Sequence, residues 1–209
     1  MNSLMPMKLE RSLVFLVVIL LAGCGGPEGD ILVKIPDNQT IQSTAKIAAV
    51  SPVTYSISKF NVPHATGQLP GRIGERKTIG NISLGMVSID PPPSVLLEKR
   101  IDKQMASAGH RKTQANPSVV ITGDVRQFEF HTDVTPTYWD MVVNANVDIR
   151  LAGRSKTLTR NYIEHCEERT YIYPSGELIQ KLVAECADSI ANQFANDQRV
   201  LGFINVSSK

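Results

Sequence analysis

Cysteine, histidine and glutamate are the residues of this chain that could do chemistry, and their spacing restricts that chemistry. His165 directly precedes Cys166, which suggests a thiol nucleophile beside an imidazole base. Adjacent residues of a strand point to opposite faces, however, so these two side chains would not meet. The sequence therefore argues against a Cys–His nucleophile.

Glutamates around His165 form the best candidate for a divalent metal site: Glu164, Glu167 and Glu168. A solvated strand end is the simpler interpretation, because the four histidines show no metal-ligand spacing: His64, His110, His131 and His165. The chain also lacks the GxSxG, HExxH, Walker A, CxxC and GxGxxG motifs. We expect no enzymatic activity, no metal and no cofactor.

The longest apolar run, residues 13–24, predicts the destination of the chain. It follows Lys8 and Arg11, and it is shorter than the roughly 20 residues that a transmembrane helix needs. The run closes on four residues that resemble the bacterial lipobox: Leu21, Ala22, Gly23 and Cys24. We predict a signal peptide over residues 1–23 and a fatty acyl anchor such as palmitate on Cys24. The alternative is an ordinary secreted protein with a chance cysteine.

The residues after Cys24 predict a tether and then one domain. In residues 24–45, GGPEGD follows Cys24 directly and favours a flexible spacer, although Ile31 to Ile35 could add an edge strand. We assign residues 46–209 to a single periplasmic domain. Position 25 is Gly rather than the Asp that retains enterobacterial lipoproteins in the inner membrane, and by that resemblance the protein goes to the outer membrane, facing the periplasm.

Charge argues against a nucleic-acid partner. The formal charge is +2, it falls to +1 without residues 1–23, and no basic run exceeds two residues. A nucleic-acid-binding surface normally requires a clustered basic excess. We expect no nucleic acid to bind.

Periodicity predicts two helices and several strands. Ser94 is the expected N-cap of a helix that ends at Gly109, and a second helix with an apolar stripe runs from about Glu177 to Asp197. Residues 76–82 and 84–89 suggest a small hairpin.

Three successive strands follow the first helix. Their alternation slips between Arg126 and Phe128, which indicates a bulge, and then continues unbroken from Met141 to Leu151. The sequence therefore predicts an α+β fold: a mainly antiparallel sheet with two helices packed on one face.

Cys166 and Cys186 are candidates for a disulfide. Cys186 lies on the apolar stripe of the final helix, and Cys166 shares strand parity with Leu158 and Tyr162, so both could reach the helix–sheet interface. With Cys24 committed to lipid, two cysteines are left in an oxidising compartment. We predict a bridge; two buried free thiols are the alternative.

Aromatic residues cluster near predicted strand ends: Tyr138, Trp139, Tyr171 and Tyr173. Such side chains either close the rim of the core or form an exposed partner site. We treat them as candidate partner-binding residues.

Beyond single motifs, the chain resembles a known family. The lipobox, Leu96 to His110, Thr159 to Tyr162 and the stretch from Ile190 to Ile204 resemble YajG-like bacterial lipoproteins. A looser resemblance links the chain to auxiliary lipoproteins of ABC-type transport systems. The resemblance implies a lipid-anchored, periplasm-facing α+β domain without known catalytic residues.

Three functional hypotheses follow. The first is a non-catalytic adaptor or accessory subunit of a cell-envelope complex, attached to the membrane by its lipid and bound to an envelope protein. The second is a periplasmic carrier that binds a lipid or glycan in a groove between helix and sheet. The third is a hydrolase with unrecognised residues. A homo-oligomer is compatible with all three.

Overall fold

The computed structural model of the protein describes residues 29–37, 46–62 and 71–207. Within these ranges eight strands form one mixed sheet: β1 Ile31–Lys34, β2 Thr54–Ile57, β3 Arg72–Lys77, β4 Ser83–Asp90, β5 Arg111–Lys112, β6 Val119–Val134, β7 Trp139–Ala152 and β8 Thr157–Thr170. The described helices are α1 Pro93–Ser107, α2 Gly176–Asn196 and α3 Gln198–Ser207, with a 3₁₀ turn at Lys46–Ala49.

Three long antiparallel strands, β6, β7 and β8, make the largest part of the sheet. Apolar side chains of β7 alternate with polar ones, so one face is buried under helices and the other faces solvent. The pairing of β6 with β7 shifts between Val125 and Gln127, which leaves Arg126 as the extra residue. The predicted bulge is therefore confirmed, and it keeps Phe128 and Phe130 on the core side.

The expectation of a mainly antiparallel sheet was only partly right. Parallel pairs join β1 to β4, β2 to both β5 and β6, and β3 to β6. Alternation of apolar residues reports which face is buried, but it does not report the direction of the neighbouring strand. Gly74 allows one of these parallel contacts, because a Cβ at this position would lie 1.8 Å from the carbonyl oxygen of Phe130.

Helix α2 is the centre of the fold. Its apolar stripe is buried and includes Ile179, Val183, Cys186, Ile190 and Phe194. The helix contacts β7 and β8 on one side and β1, at the far edge of the sheet, on the other. The sheet therefore curls around α2, with α1 packed beside it.

The number of helices and one helix start differ from the prediction. The chain leaves the helical conformation at Asp197 (φ −69°, ψ 116°) and forms α3 directly afterwards, so three helices are described instead of two. Helix α1 begins at Pro93, one residue before the expected cap Ser94, because proline is well suited to the first helical position. Gly109 (φ +85°) ends α1 as expected.

Strands β3 and β4 form the predicted hairpin, but β3 spans Arg72–Lys77 instead of residues 76–82, and β4 spans Ser83–Asp90 instead of residues 84–89. The tip of this hairpin lies at the same end of the sheet as the turn between β6 and β7, because the amide of Lys77 donates to Oγ1 of Thr132 (2.8 Å). The end of β8 lies there too, since Thr170 pairs with Trp139. We call this the aromatic end; the opposite end, at the β7–β8 turn from Gly153 to Lys156, is the turn end.

Candidate functional site

The structure separates the two groups of the imagined nucleophile. Cys166 points to the helix side of β8 and is bonded to Cys186 of α2, with Cα atoms 5.8 Å apart. His165 lies on the solvent face, where its Nδ1 is 2.8 Å from Oδ1 of Asn144. The predicted disulfide is present, and it removes Cys166 as a thiol nucleophile.

The candidate metal ligands are also separated. Glu164 and Glu168 lie on the helix side, where they contact Gln193 and Lys181 of α2. Glu167 lies on the solvent face with His165, 3.8 Å from its Nε2. Within the described residues no group of three or more His, Cys, Asp or Glu side chains could hold a metal ion.

The aromatic end brings the four predicted aromatic residues together in two edge-to-face pairs. Trp139 and Tyr173 have ring centroids 5.4 Å apart, and Tyr138 and Tyr171 have centroids 6.5 Å apart. Such pairs stabilise by about 1 kcal/mol beyond the area that they bury. Tyr171 is 77% exposed, whereas the other three are partly buried. The arrangement closes the rim of the core and still presents one ring to the outside.

Two arginines stack on these rings. Arg169 lies over Tyr138, 3.8 Å from the ring centroid, and binds Asp140 through two hydrogen bonds of 2.7 and 3.0 Å. The hydrogen bond from Arg169 lowers the pKa of Asp140. Arg76 is fully buried, lies 5.1 Å from the ring centroid of Tyr173, and donates through Nη2 to the carbonyl oxygen of Gly29 (2.5 Å). The start of the described chain is thereby fixed at the aromatic end.

The turn end carries a cleft of about 760 Å³ between the β7–β8 turn and α3. Its cations are Arg154, Lys156 and Arg199, and no acidic side chain is among the described residues that line it. Leu158, Phe203 and Val206 supply apolar surface; the remaining lining residues are Ser118, Gly153, Ser155, Thr157, Gly202 and Ser207. We call this the basic cleft. It lies beside the turn and not in the helix–sheet groove that the carrier hypothesis expected.

Asp197 fixes the wall of the basic cleft. Its Oδ1 accepts from the amide of Arg199 (2.8 Å), which caps α3, and its Oδ2 accepts from Nε of Arg160 (2.6 Å) and from the hydroxyl of Tyr162 (3.1 Å). Burial alone would raise the pKa of Asp197, but these donors together hold it below its usual value. Burial and the neighbouring Asp197 raise the pKa of the Tyr162 hydroxyl.

Strand β8 presents a free edge. It pairs with β7 along all of its 14 residues, and on its other side no strand pairs with it in the described part of the chain. In the turn the amide of Gly153 donates to the carbonyl of Lys156. Residue pairs of β7 and β8 are alternately hydrogen-bonded and not hydrogen-bonded from this turn onward, and the even-numbered residues of β8 are the ones that bond to β7. The odd-numbered residues of β8 therefore direct their N–H and C=O groups outward. Ile163, at the middle of this edge, is 65% exposed.

Sequence reasoning found the aromatic residues but missed the basic cleft. Arg154 and Lys156 look like ordinary turn residues, and Arg199 lies on a helix that the sequence did not predict. The predicted signal peptide, the lipobox, Cys24 and part of the tether lie outside the described residues. The apolar run at Ile31 forms β1 and joins the sheet beside β4. No helix in the described ranges has the length and hydropathy to cross a bilayer.

Comparison with known proteins identifies the class of this protein as an α+β lipoprotein of the bacterial envelope. A family model described as an uncharacterized lipoprotein, the YajG family, matches residues 76–205, which is more than half of the chain. The chain therefore belongs to this family, whose description names no activity. A search of curated proteins found no match.

One solved structure with a TM-score above 0.5 supports the fold, and two others are similar to a lower degree. A DUF330-family protein from Xanthomonas campestris is similar with a TM-score of 0.52 at 10% identity, over 85% of this chain and 97% of that one. A minor lipoprotein from Acinetobacter baumannii gives 0.39 at 10% identity, over 70% and 92%. A PelC dodecamer from Paraburkholderia phytofirmans gives 0.34 at 12% identity, over 67% and 87%.

Proposed function

We propose that this chain is a non-catalytic accessory subunit of a cell-envelope complex, anchored by lipid on Cys24 to the outer membrane and facing the periplasm. Membership of a lipoprotein family supports membrane anchoring. The lipobox residues and Gly25 support the particular cysteine and membrane. The partner is an envelope protein that contributes an extended segment to the free edge of β8.

The free edge of β8 is the observation that carries this proposal. Long exposed edges invite pairing with another chain, and native proteins protect them with charged side chains, lysine above all, or with proline or bulges. Strand β8 contains no lysine, no proline and no register shift against β7, and its five charged side chains each contact another described side chain. Exposed Ile163 adds an apolar side chain at its midpoint. An added strand would hydrogen-bond to the outward backbone groups and cover this side chain.

Lipid anchoring makes a modest affinity sufficient. Two proteins confined to one membrane surface meet at a raised effective concentration, so a short added strand can hold a complex that would dissociate in dilute solution. An accessory subunit of this kind requires an accessible edge and a fixed orientation more than it requires a deep pocket.

A proline substitution tests the edge directly. Ile163→Pro removes an outward N–H without removing a bond to β7, and Ile163→Thr is the matched control that keeps both the donor and the strand preference. A photo-crosslinking residue at position 165 in living cells should capture a discrete envelope protein, and the adduct should disappear with Pro but persist with Thr. The same crosslinking residue at Glu129, on the exposed face of β6 away from the edge, should give no adduct.

Other outcomes of this experiment are informative. An adduct of twice the mass of the chain would identify a second copy at the edge, which sedimentation of the purified protein would confirm. No adduct above background, under conditions that capture a known lipoprotein pair, would overturn the proposed partner.

Metabolic labelling with a fatty acid analogue tests the anchor separately. Cys24→Ala should abolish labelling and move the protein to the soluble fraction, whereas Cys166→Ser should be labelled normally. Equal labelling of Cys24→Ala would show that the anchor lies elsewhere.

The basic cleft favours a second function, that of a carrier for a phosphate-bearing lipid or glycan. Three cations without a carboxylate partner in the described residues surround a partly apolar floor, which suits an anionic headgroup with an attached apolar chain. Dihexanoyl phosphatidylglycerol should bind the wild type, and Arg154→Glu with Arg199→Glu should abolish binding. Lys34→Glu with Lys59→Glu, two exposed changes outside the cleft, is the charge-matched control. Equal binding by all three proteins would exclude the cleft.

A further inference from the structure

Exposed apolar side chains collect at the aromatic end. Tyr171 is 77% exposed and Ile172 is 68% exposed, just after β8. At the tip of hairpin β3–β4, Ile79 is 56% exposed and Ile82 is 67% exposed. Both turns project from the same end of the sheet, as the Lys77–Thr132 and Trp139–Thr170 contacts show. Half of the large, exposed apolar side chains among the described residues thus lie at one end of the molecule.

The first described residue of the chain lies at this same end. Gly29, the first described residue, accepts a hydrogen bond from the buried Arg76, and Arg76 stacks on Tyr173. The amide of Gly29 also donates to the carbonyl of Leu84 in β4 (2.8 Å). Four residues lie between Cys24 and Gly29, and the five residue steps from one to the other span at most about 18 Å when extended. A lipid on Cys24 therefore keeps the aromatic end close to the bilayer surface.

Charged groups around the aromatic end are mostly paired. Arg169 binds Asp140, and Lys77 binds Glu75 at 2.7 Å. Asp133 is exposed, with His131 3.8 Å away. Among the described residues this end therefore has no cluster of unpaired cations that would select anionic lipid, and its attraction to a bilayer would come from apolar and aromatic side chains. Tyrosine, tryptophan and isoleucine are suited to the interface between headgroups and acyl chains.

We propose that the aromatic end is a membrane-contact surface: Tyr171, Ile172, Ile79 and Ile82 insert into the interface of the bilayer that holds the lipid anchor. This inference rests on the proposed anchorage at Cys24 and gives Tyr171, the exposed member of the four aromatic residues, a lipid partner instead of a protein partner. It also fixes the orientation of the domain, with β8 standing on the membrane and the edge of that strand open to the periplasm.

Trp139 is the only tryptophan of the chain and lies at this end, so it reports contact directly. The purified lipidated protein would be reconstituted into vesicles of phosphatidylethanolamine and phosphatidylglycerol that carry bromine on their acyl chains. We expect these chains to quench Trp139 fluorescence and salt to leave the quenching unchanged. The double variant Tyr171→Ser with Ile172→Ser should lose the quenching while keeping its lipid, and its melting temperature should fall by only a few degrees, since it loses the Tyr138–Tyr171 ring pair of about 1 kcal/mol.

Ile163→Ser is the matched control, because Ile163 is equally exposed but lies at the middle of β8. Its quenching should equal that of the wild type. Quenching that is absent in the wild-type lipidated protein, or unchanged in the double variant, would overturn the proposal. If Cys24 is not acylated, metabolic labelling reveals it beforehand, and failure of the anchor is thereby distinguished from failure of the contact surface.

Discussion

The two ends of the long strands differ in how their polar groups are satisfied. At the aromatic end Arg169 binds Asp140 and stacks on Tyr138, and Arg76 is buried between Gly29 and Tyr173. At the turn end three cations surround a cleft whose described lining contains no acidic side chain. The charged groups at the aromatic end therefore contact neighbouring groups of the protein, whereas the cations at the turn end are available to bind an anion. A single sheet can thus carry two surfaces of different chemistry.

Removing the disulfide should have the largest effect and should not distinguish the two ends. The bridge closes a loop between residues 20 apart and joins β8 to the middle of α2, and the chain-entropy model gives about 3 kcal/mol for such a loop. The double variant Cys166→Ser with Cys186→Ser should lower the free energy of unfolding by about that amount. Urea denaturation measures it, and hydrogen exchange should show faster opening at both ends. Loss of protection at one end alone would contradict the central position of the bridge.

Substitution of Asp197 should weaken the turn end selectively. Asp197→Ala removes the cap of α3 together with the acceptor of Arg160 and Tyr162, at a cost of about 2 kcal/mol. Asp197→Asn retains a capping side chain and should cost less. Hydrogen exchange of the backbone amides should become faster in α3 but not at Trp139. A uniform increase over the whole chain would show that the two ends are not independent.

Ser175 is the corresponding cap at the aromatic end. Its hydroxyl accepts from the amide of Leu178 at the start of α2 (3.3 Å). Ser175→Ala should lower the free energy of unfolding by about 1 kcal/mol, and Ser175→Asp should restore most of it. Thermal denaturation of the two variants gives this comparison. A cost for Ser175→Ala that exceeds the cost for Asp197→Ala would reverse the ranking of the two caps.

Mild acid, between about pH 6.5 and pH 4, should act on the turn end, and we expect this to be the smallest effect near neutral pH. His110 is buried and its Nδ1 accepts from the amide of Val53, beside β2 and the start of β6; burial lowers its pKa from 6.5. Because unfolded His110 binds a proton at higher pH than the native residue, stability should fall as pH drops below about 6.5. His110→Gln should flatten this slope, while His165→Gln, at an exposed position, should not. The lowered pKa of Asp197 adds a second loss below about pH 4.

Much of the fold was readable because burial leaves a period in the sequence. Met141 to Leu151 alternates without a break, and the apolar stripe of α2 placed Cys186 against Cys166 correctly. Strand direction left no such period, so the parallel pairs of β1, β2 and β3 were missed. Helix α3 was missed because its start depends on the Asp197 cap, whose partners Arg160 and Tyr162 lie on β8.

The candidate sites were also predictable only where their residues leave a pattern along the sequence. Four aromatic residues near strand ends are conspicuous in a chain with few aromatics, so the aromatic end was anticipated. The basic cleft depends on bringing Arg199 beside the β7–β8 turn, and only the packing of α3 achieves this. A site whose members are common residue types on distant segments leaves no pattern along the sequence.

The length of β8 also determines how far the basic cleft lies from the aromatic end. Its 14 residues rise about 3.4 Å each, so the turn end lies roughly 45 Å from the aromatic end. With the aromatic end on the bilayer, the basic cleft would stand beyond the headgroup layer of the anchoring leaflet. An anion that fills the cleft must then come from the aqueous space or from a structure facing that leaflet, and the strand acts as a spacer that decides which molecules the cleft can meet.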